Sequence, residues 1–112
     1  MTEINETDYT FYAVADLSEM PEGERLFVSI GEENIVIFNI AGQLYAIGDV
    51  CTHDGGPLGE GELEDHQVIC PRHGASFDVR NGRALSLPAV IDVPSYPVRI
   101  NGTDIEVGIL EK

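Results

Sequence analysis

Short stretches of strand-like pattern, separated by turn residues, recur along this chain with almost no sign of helix. Tyr9 to Ala15 (Y-T-F-Y-A-V-A) reads as a first strand, rich in aromatic and β-branched residues. Asp16-Leu17-Ser18-Glu19 has the form of a capping box, with Asp16 as N-cap and Glu19 three residues on. Pro21 and Gly23 then stop the helix after about one turn. Arg25 to Ile30 sets Leu26, Val28 and Ile30 against Phe27 and Ser29, the pattern of a half-buried strand. Asn34 to Ile40 is instead a near-continuous apolar run bounded by turn residues and too short for a helix, which is how a strand covered on both faces reads. Ala41-Gly42 turns the chain into Gln43 to Ile47, and Gly48-Asp49-Val50 ends this meander.

Further along, Leu58 to Asp65 is Gly- and Glu-rich and predicts an exposed connection. Gln67 to Ile69 and Ser76 to Val79 predict short strands, and Asn81-Gly82 is the strongest hairpin signal in the chain. Leu85 to Val93 contains Pro88 and lacks alternation. Tyr96, Val98 and Ile100, the turn Asn101-Gly102, and Ile105 and Val107 predict a closing hairpin. Residues 1–8, polar and aperiodic, are expected to be a mobile tail. About ten short strands at regular spacing predict an all-β antiparallel sandwich or barrel.

The length of 112 residues implies a single domain spanning 1–112. An apolar content of 43% supplies a core, and no apolar run approaches the length of a membrane-spanning helix. The acidic N-terminus lacks the basic-then-apolar layout of a signal peptide, so a cytoplasmic location and no membrane partner are expected. The formal charge is −14, with only six basic residues, which excludes nucleic acid as a partner because phosphate binding needs clustered Lys and Arg. Solubility alone and docking to a basic partner both account for such acidity.

Candidate chemistry is concentrated in residues 51–75. They hold both cysteines, Cys51 and Cys70, and all three histidines, His53, His66 and His73. Four of the five form tight pairs, Cys51-x-His53 and Cys70-x-x-His73, with 16 residues between His53 and Cys70. Gly55, Gly56 and Pro57 come after the first pair, and Pro71 and Gly74 flank the second, so two sharply turning loops would close on one object. Two thiolates and two imidazoles point to a metal. A Cys₂His₂ zinc site needs this inventory, but typically draws each pair from one residue type; a [2Fe–2S] centre with two Cys on one iron and two His on the other needs it in mixed pairs. His66 lies among polar neighbours outside both motifs and reads as a solvated loop residue. Glu60, Glu62, Glu64 and Asp65, with Asp54, read as a solvated acidic face rather than a calcium loop.

The C-T-H and C-P-x-H-G loops resemble those of the Rieske iron–sulfur family. The resemblance implies a Rieske-like sandwich or barrel with a small inserted cluster-binding lobe, roughly residues 50–88. It assigns Cys51 and Cys70 to the inner iron of a [2Fe–2S] cluster and His53 and His73 to the outer one. Leu87-Pro88-Ala89 would be the proline segment that covers the cluster in that family. High-potential members carry an extra disulfide and hydroxyl donors to the sulfurs, and Gly56, Arg72, Ala75 and Phe77 occupy those positions here. Fewer donors to the sulfurs lower the potential. The resemblance thus implies a low-potential monomeric ferredoxin, not itself an enzyme, that takes electrons from a flavin-dependent reductase and passes them to an aromatic-ring oxygenase through transient contacts. A nitrite reductase small subunit and a structural-zinc interaction module are the alternatives.

Overall fold

The computed structural model describes residues 9–51, 56–71, 74–87 and 91–110. The tail 1–8, His53, Asp54, Gly55, Arg72, His73 and the pair Pro88-Ala89 lie outside them. Among the described residues the strands are β1 (Tyr9–Asp16), β2 (Arg25–Ile30), β3 (Glu33–Ile40), β4 (Gln43–Gly48), β5 (Glu62–Glu64), β6 (Gln67–Ile69), β7 (Ser76–Asp78), β8 (Ser95–Tyr96), β9 (Val98–Asn101) and β10 (Asp104–Leu110). They form three antiparallel sheets: an outer sheet β1-β10-β9, a middle sheet β2-β3-β4-β8 and a lobe sheet β5-β6-β7.

The apolar run of β3 explains how these layers stack. Ile35 and Ile37 point into a core shared with Ile105, Val107 and Met20 between the outer and middle sheets. Val36 and Phe38, one step along, point the opposite way into a second core shared with Val68, Phe77 and Val79 of the lobe. All four are at most 1% exposed, and burying each stabilises the fold by roughly 1.5–3 kcal/mol. β4 repeats the division, with Ala46 in the first core and Ile47 in the second. The strand predicted to be covered on both faces is so covered.

Turn chemistry sets the registers. Ala41 and Gly42 both have positive φ, 54° and 90°, the two-residue geometry whose twist suits a hairpin; it pairs Ile40 with Gln43. The capping box is present on a 3₁₀ turn, Leu17–Glu19: Asp16 accepts from Ser18 N–H, and Glu19 accepts from Asp16 N–H. The chain passes from the middle to the outer sheet at Pro97, between β8 and β9, and β9 and β10 form the expected closing hairpin.

Two expectations need correction. Leu58 to Asp65 is not simply an exposed connection: Leu58, Gly59 and Gly61 are buried, and Glu62–Glu64 is a strand paired with β6. Burial of Leu58 and inward packing of Leu63 account for this, since both join the lobe core. Asn81-Gly82 turns the chain, but the returning segment makes an isolated bridge, Phe77 to Ala84, rather than a strand. Gly82 N–H is drawn to Asp78 O at 2.6 Å, and its φ of 81° suits glycine.

On the outer sheet Arg99 Nε donates to Glu106 Oε1 at 2.6 Å while its guanidinium lies 3.9 Å from the centre of the Phe11 ring. The bond from Arg99, helped by Asn101 and opposed by burial, holds the Glu106 carboxyl below its ordinary range. A folded-state pKa below the unfolded value gives stability that is complete above about pH 4.3 and is lost as pH falls through the folded value. The melting temperature of Glu106→Gln should therefore fall less steeply on acidification than that of the parent protein, as a calorimetric series from neutral pH to about pH 3 would show.

Candidate metal centre

The first loop grows out of the middle sheet. Gly48 N–H donates to Pro94 O and Asp49 N–H to Asn34 O, each at 2.8 Å, which carries the β4–β8 and the β3–β4 pairing one step further. Asp49 Oδ1 then accepts from Leu58 N–H at 2.9 Å and Gly59 N–H at 2.6 Å, so one carboxylate joins the start of the loop to its end. Charge-assisted bonds of this kind are stronger than neutral ones. Inside this span Cys51 N–H donates to Gly56 O at 2.7 Å.

The second loop leaves β6. Cys70 N–H donates to Ala75 O at 2.6 Å, and Gly74, at φ 78°, returns its N–H to Cys70 O at 3.1 Å. The two loops share one closure: a cysteine N–H bonded to the carbonyl five residues later. Downstream, Ser86 Oγ accepts from Ser76 N–H at 3.1 Å and lies 2.8 Å from Ser76 Oγ, and Leu85 N–H donates to Ser76 O. Ala84 N–H donates to Asp92 Oδ1. Residues 84–86 are thereby tied to β7 and leave Leu85, Leu87 and Ile91 exposed by 51%, 77% and 62%.

Cys51 and Cys70 come together in the lobe core, 0% and 2% exposed, as thiols rather than a disulfide. Leu58, Ala75, Phe77, Val79 and Val93 share that core. Ionising two thiols in so apolar a setting is costly without a cation. A soft metal centre meets that requirement, and two buried thiols are donors of the kind it takes. Ala75 and Phe77 are fully buried and bring no hydroxyl to that core. His53 and His73 lie outside the described residues, and among the described ones no group of three or more His, Cys, Asp and Glu gathers as for a metal ion.

His66 departs from its reading as a solvated residue. It is half-buried, its ring stands edge-on to Tyr45 with centroids 5.9 Å apart, and its carbonyl accepts from Val79 N–H. It packs the lobe against the middle sheet. Glu60, Glu62, Glu64 and Asp65 are exposed, as expected. Asp49 and Arg25, whose long-range contacts shape the first loop's return, were not legible as site residues; the scarcity of basic residues was the available signal for Arg25.

Residues 10–97 match the family described as the Rieske [2Fe-2S] domain. This chain belongs to that family. The ferredoxin subunit of 3-phenylpropionate/cinnamic acid dioxygenase from Shigella boydii serotype 4 (strain Sb227) is 41% identical to this Rieske chain over 85% of its length and 90% of the relative's. The ferredoxin of carbazole 1,9a-dioxygenase from Nocardioides aromaticivorans IC177 superposes with a TM-score of 0.82 at 30% identity, covering 88% of this chain and 96% of that one. A chain from the complex of reduced oxygenase and oxidised ferredoxin in carbazole 1,9a-dioxygenase matches with a TM-score of 0.83 at 28% identity, covering 91% and 95%. These relatives are electron-transfer components, and the Rieske fold carries the [2Fe–2S] group for which the family is named.

The lobe's tight packing is testable at glycine. A Cβ on Gly61 would sit 1.8 Å from Ile69 O, whereas one on Gly31 meets nothing within 4 Å. Gly61→Ala should cost at least the 1–3 kcal/mol or so typical of overpacking and release bound iron. Gly31→Ala, strained only by its φ of 61°, should cost about 1–2 kcal/mol and keep it. Thermal unfolding followed at a visible absorption band and in the far ultraviolet would separate the two.

Proposed function

We propose that this Rieske domain is a one-electron carrier in which Cys51 and Cys70 hold the inner iron and His53 and His73 the outer iron. When bound, the cluster supplies a reversible one-electron couple and no substrate chemistry. The reading is carried by the burial of both cysteine thiols in a single apolar core, each at the head of a loop closed by the same backbone bond. Residues 50–88 form the cluster-binding lobe of a single domain spanning 1–112. Asp49 and the Cys51–Gly56 bond keep one sulfur in place, Cys70–Ala75 keeps the other, and the apolar core excludes water from both.

The relatives point to the partners. The chain passes electrons from a flavin-dependent reductase to a terminal oxygenase of the ring-hydroxylating type, in keeping with the dioxygenase ferredoxin subunit and the ferredoxin–oxygenase complex it resembles. It acts as a monomer in the cytoplasm and binds neither membrane nor nucleic acid. Among the described residues no helix is long and apolar enough to cross a membrane.

Ligand replacement tests the site. Cys51→Ser and Cys70→Ser should lose iron and much of the lobe's stability, because metal binding is coupled to folding in so small a unit. His53→Ala or His73→Ala should lose at least one iron, while His66→Ala keeps the cluster's absorption and magnetic resonance spectra. Bleaching in His66→Ala with retention in His73→Ala would overturn the ligand set, and a colourless iron-free parent protein containing zinc would overturn the function.

Docking is tested by salt. A carrier meets each partner briefly, so its encounter is steered by charge. Screening near 0.15 M salt shortens the reach of that field to about 8 Å. Stopped-flow reduction by the native reductase should slow as ionic strength rises. Neutralising Glu60, Glu62 and Glu64 should flatten that dependence more than neutralising Glu3, Glu6 and Asp8. Equal effects of the two triple variants would return the acidity to solubility alone.

A further inference from the structure

Arg25 opens β2 in a chain with 20 acidic and six basic residues, so a carboxylate partner would be its ordinary fate. Among the described residues, ion pairs join Arg80 to Asp78 and Arg99 to Glu106, and none involves Arg25. Its guanidinium instead reaches 34 and 36 residues along the chain. One Nη donates to Gly59 O and, at 2.8 Å, to Gly61 O. The same guanidinium carbon lies 5.2 Å from the centre of the Phe38 ring, the cross-strand neighbour of Arg25. Phe38 is 1% exposed and belongs to the apolar core that contains Cys51 and Cys70.

Gly59 is consequently held from both ends. Its N–H is bonded to Asp49 and its carbonyl to Arg25, while its Cα is pressed against Phe27 and Val36, which would stand 2.8 and 2.9 Å from a Cβ. The two bonds come from a single nitrogen, so geometry alone could be served by any donor with two hydrogens. The charge is a separate matter. A guanidinium carries a fixed positive charge, and among the described residues this one is set against carbonyls and a ring face rather than in an ion pair. Charges interact more strongly across an apolar interior than through water. The ring it covers and Leu58 of the 58–61 turn belong to the same buried cluster as Cys51 and Cys70.

We propose that Arg25 is a positioning residue of the cluster site that also sets its redox balance, its fixed positive charge favouring the reduced form. The inference rests on the [2Fe–2S] reading above. With the cluster bound, one electron from the donor protein would add one negative charge to it, and no bond would be made or broken at Arg25. Removing the charge makes reduction harder, whereas removing only the planar guanidinium loosens the turn.

The test compares the midpoint of the cluster-loaded parent protein with those of Arg25→Lys, Arg25→Gln and Arg99→Gln by protein-film voltammetry, with thermal unfolding alongside. Arg99→Gln removes the same unit of charge from the outer sheet, away from the lobe. The expected result is a downward shift for Arg25→Gln that exceeds any shift in Arg99→Gln. Arg25→Lys should stay near the parent midpoint while melting earlier, since Lys keeps the charge and loses the planar group that lies over Phe38. Equal shifts in the two Gln variants would reduce the effect to net charge and overturn the proposal, as would an unmoved midpoint in Arg25→Gln. If Arg25→Gln holds no cluster while Arg25→Lys does, the charge is required and the proposal stands. If neither holds one, Arg25 is a geometric clamp and the redox role falls. A parent protein without iron removes both this inference and the reading beneath it; an iron-loaded parent with insensitive potential removes this inference alone.

Discussion

The burial of β3 on both faces is the constraint on which the other layers depend. A strand so covered leaves neither face to solvent, so each must be met by a separate apolar surface: Ile105 and Val107 on one side, Val68 and Phe77 on the other. Side chains alternate in direction, so a register slip of one residue against β2 or β4 would exchange the two sets and leave both cores mismatched. The turn at Ala41-Gly42 holds that register. The loop that begins at Cys51 therefore starts from a strand, β4, whose position is fixed through its neighbour on both faces.

From this wall the two cysteine loops receive different support. The first is anchored to the middle sheet by backbone bonds at Gly48 and Asp49 and closed by the Asp49 carboxylate. The second hangs between two short strands of the lobe sheet, β6 and β7, and is stayed by Ser86. One cysteine is thus referred to the base of the molecule and the other to the lobe. The spacing between the two sulfurs depends on the lobe's attachment, which Arg25 and the His66–Tyr45 contact provide.

Local signals in the sequence were legible where the physics is local. Alternation revealed β2, the unbroken apolar run revealed β3, and Asp16 with Glu19 revealed the capped turn. The mixed Cys/His spacing pointed to the chemistry before any coordinates did, and the burial of Cys51 and Cys70 agrees with it. The hidden features depend on partners distant in sequence. β5 holds a single leucine between two glutamates, too little pattern to mark a strand until β6 lies beside it. Gly59 and Gly61 looked like features of a loose loop, yet they are glycines because neighbouring atoms leave no room for a Cβ. Arg25 and Asp49 do their work through backbone groups, which carry no signature in the letters they contact.

The lobe sheet ends at β5, whose far edge pairs with no other strand among the described residues. Such an edge offers unpaired peptide groups on which a second molecule can build a cross-molecular sheet, the first step of aggregation. Here the edge is three residues long and bears the exposed carboxylates of Glu62 and Glu64. A second copy bringing its own β5 alongside would set like charges against like and find only a short ladder to join. The strand can therefore close the lobe sheet without becoming a template for self-assembly.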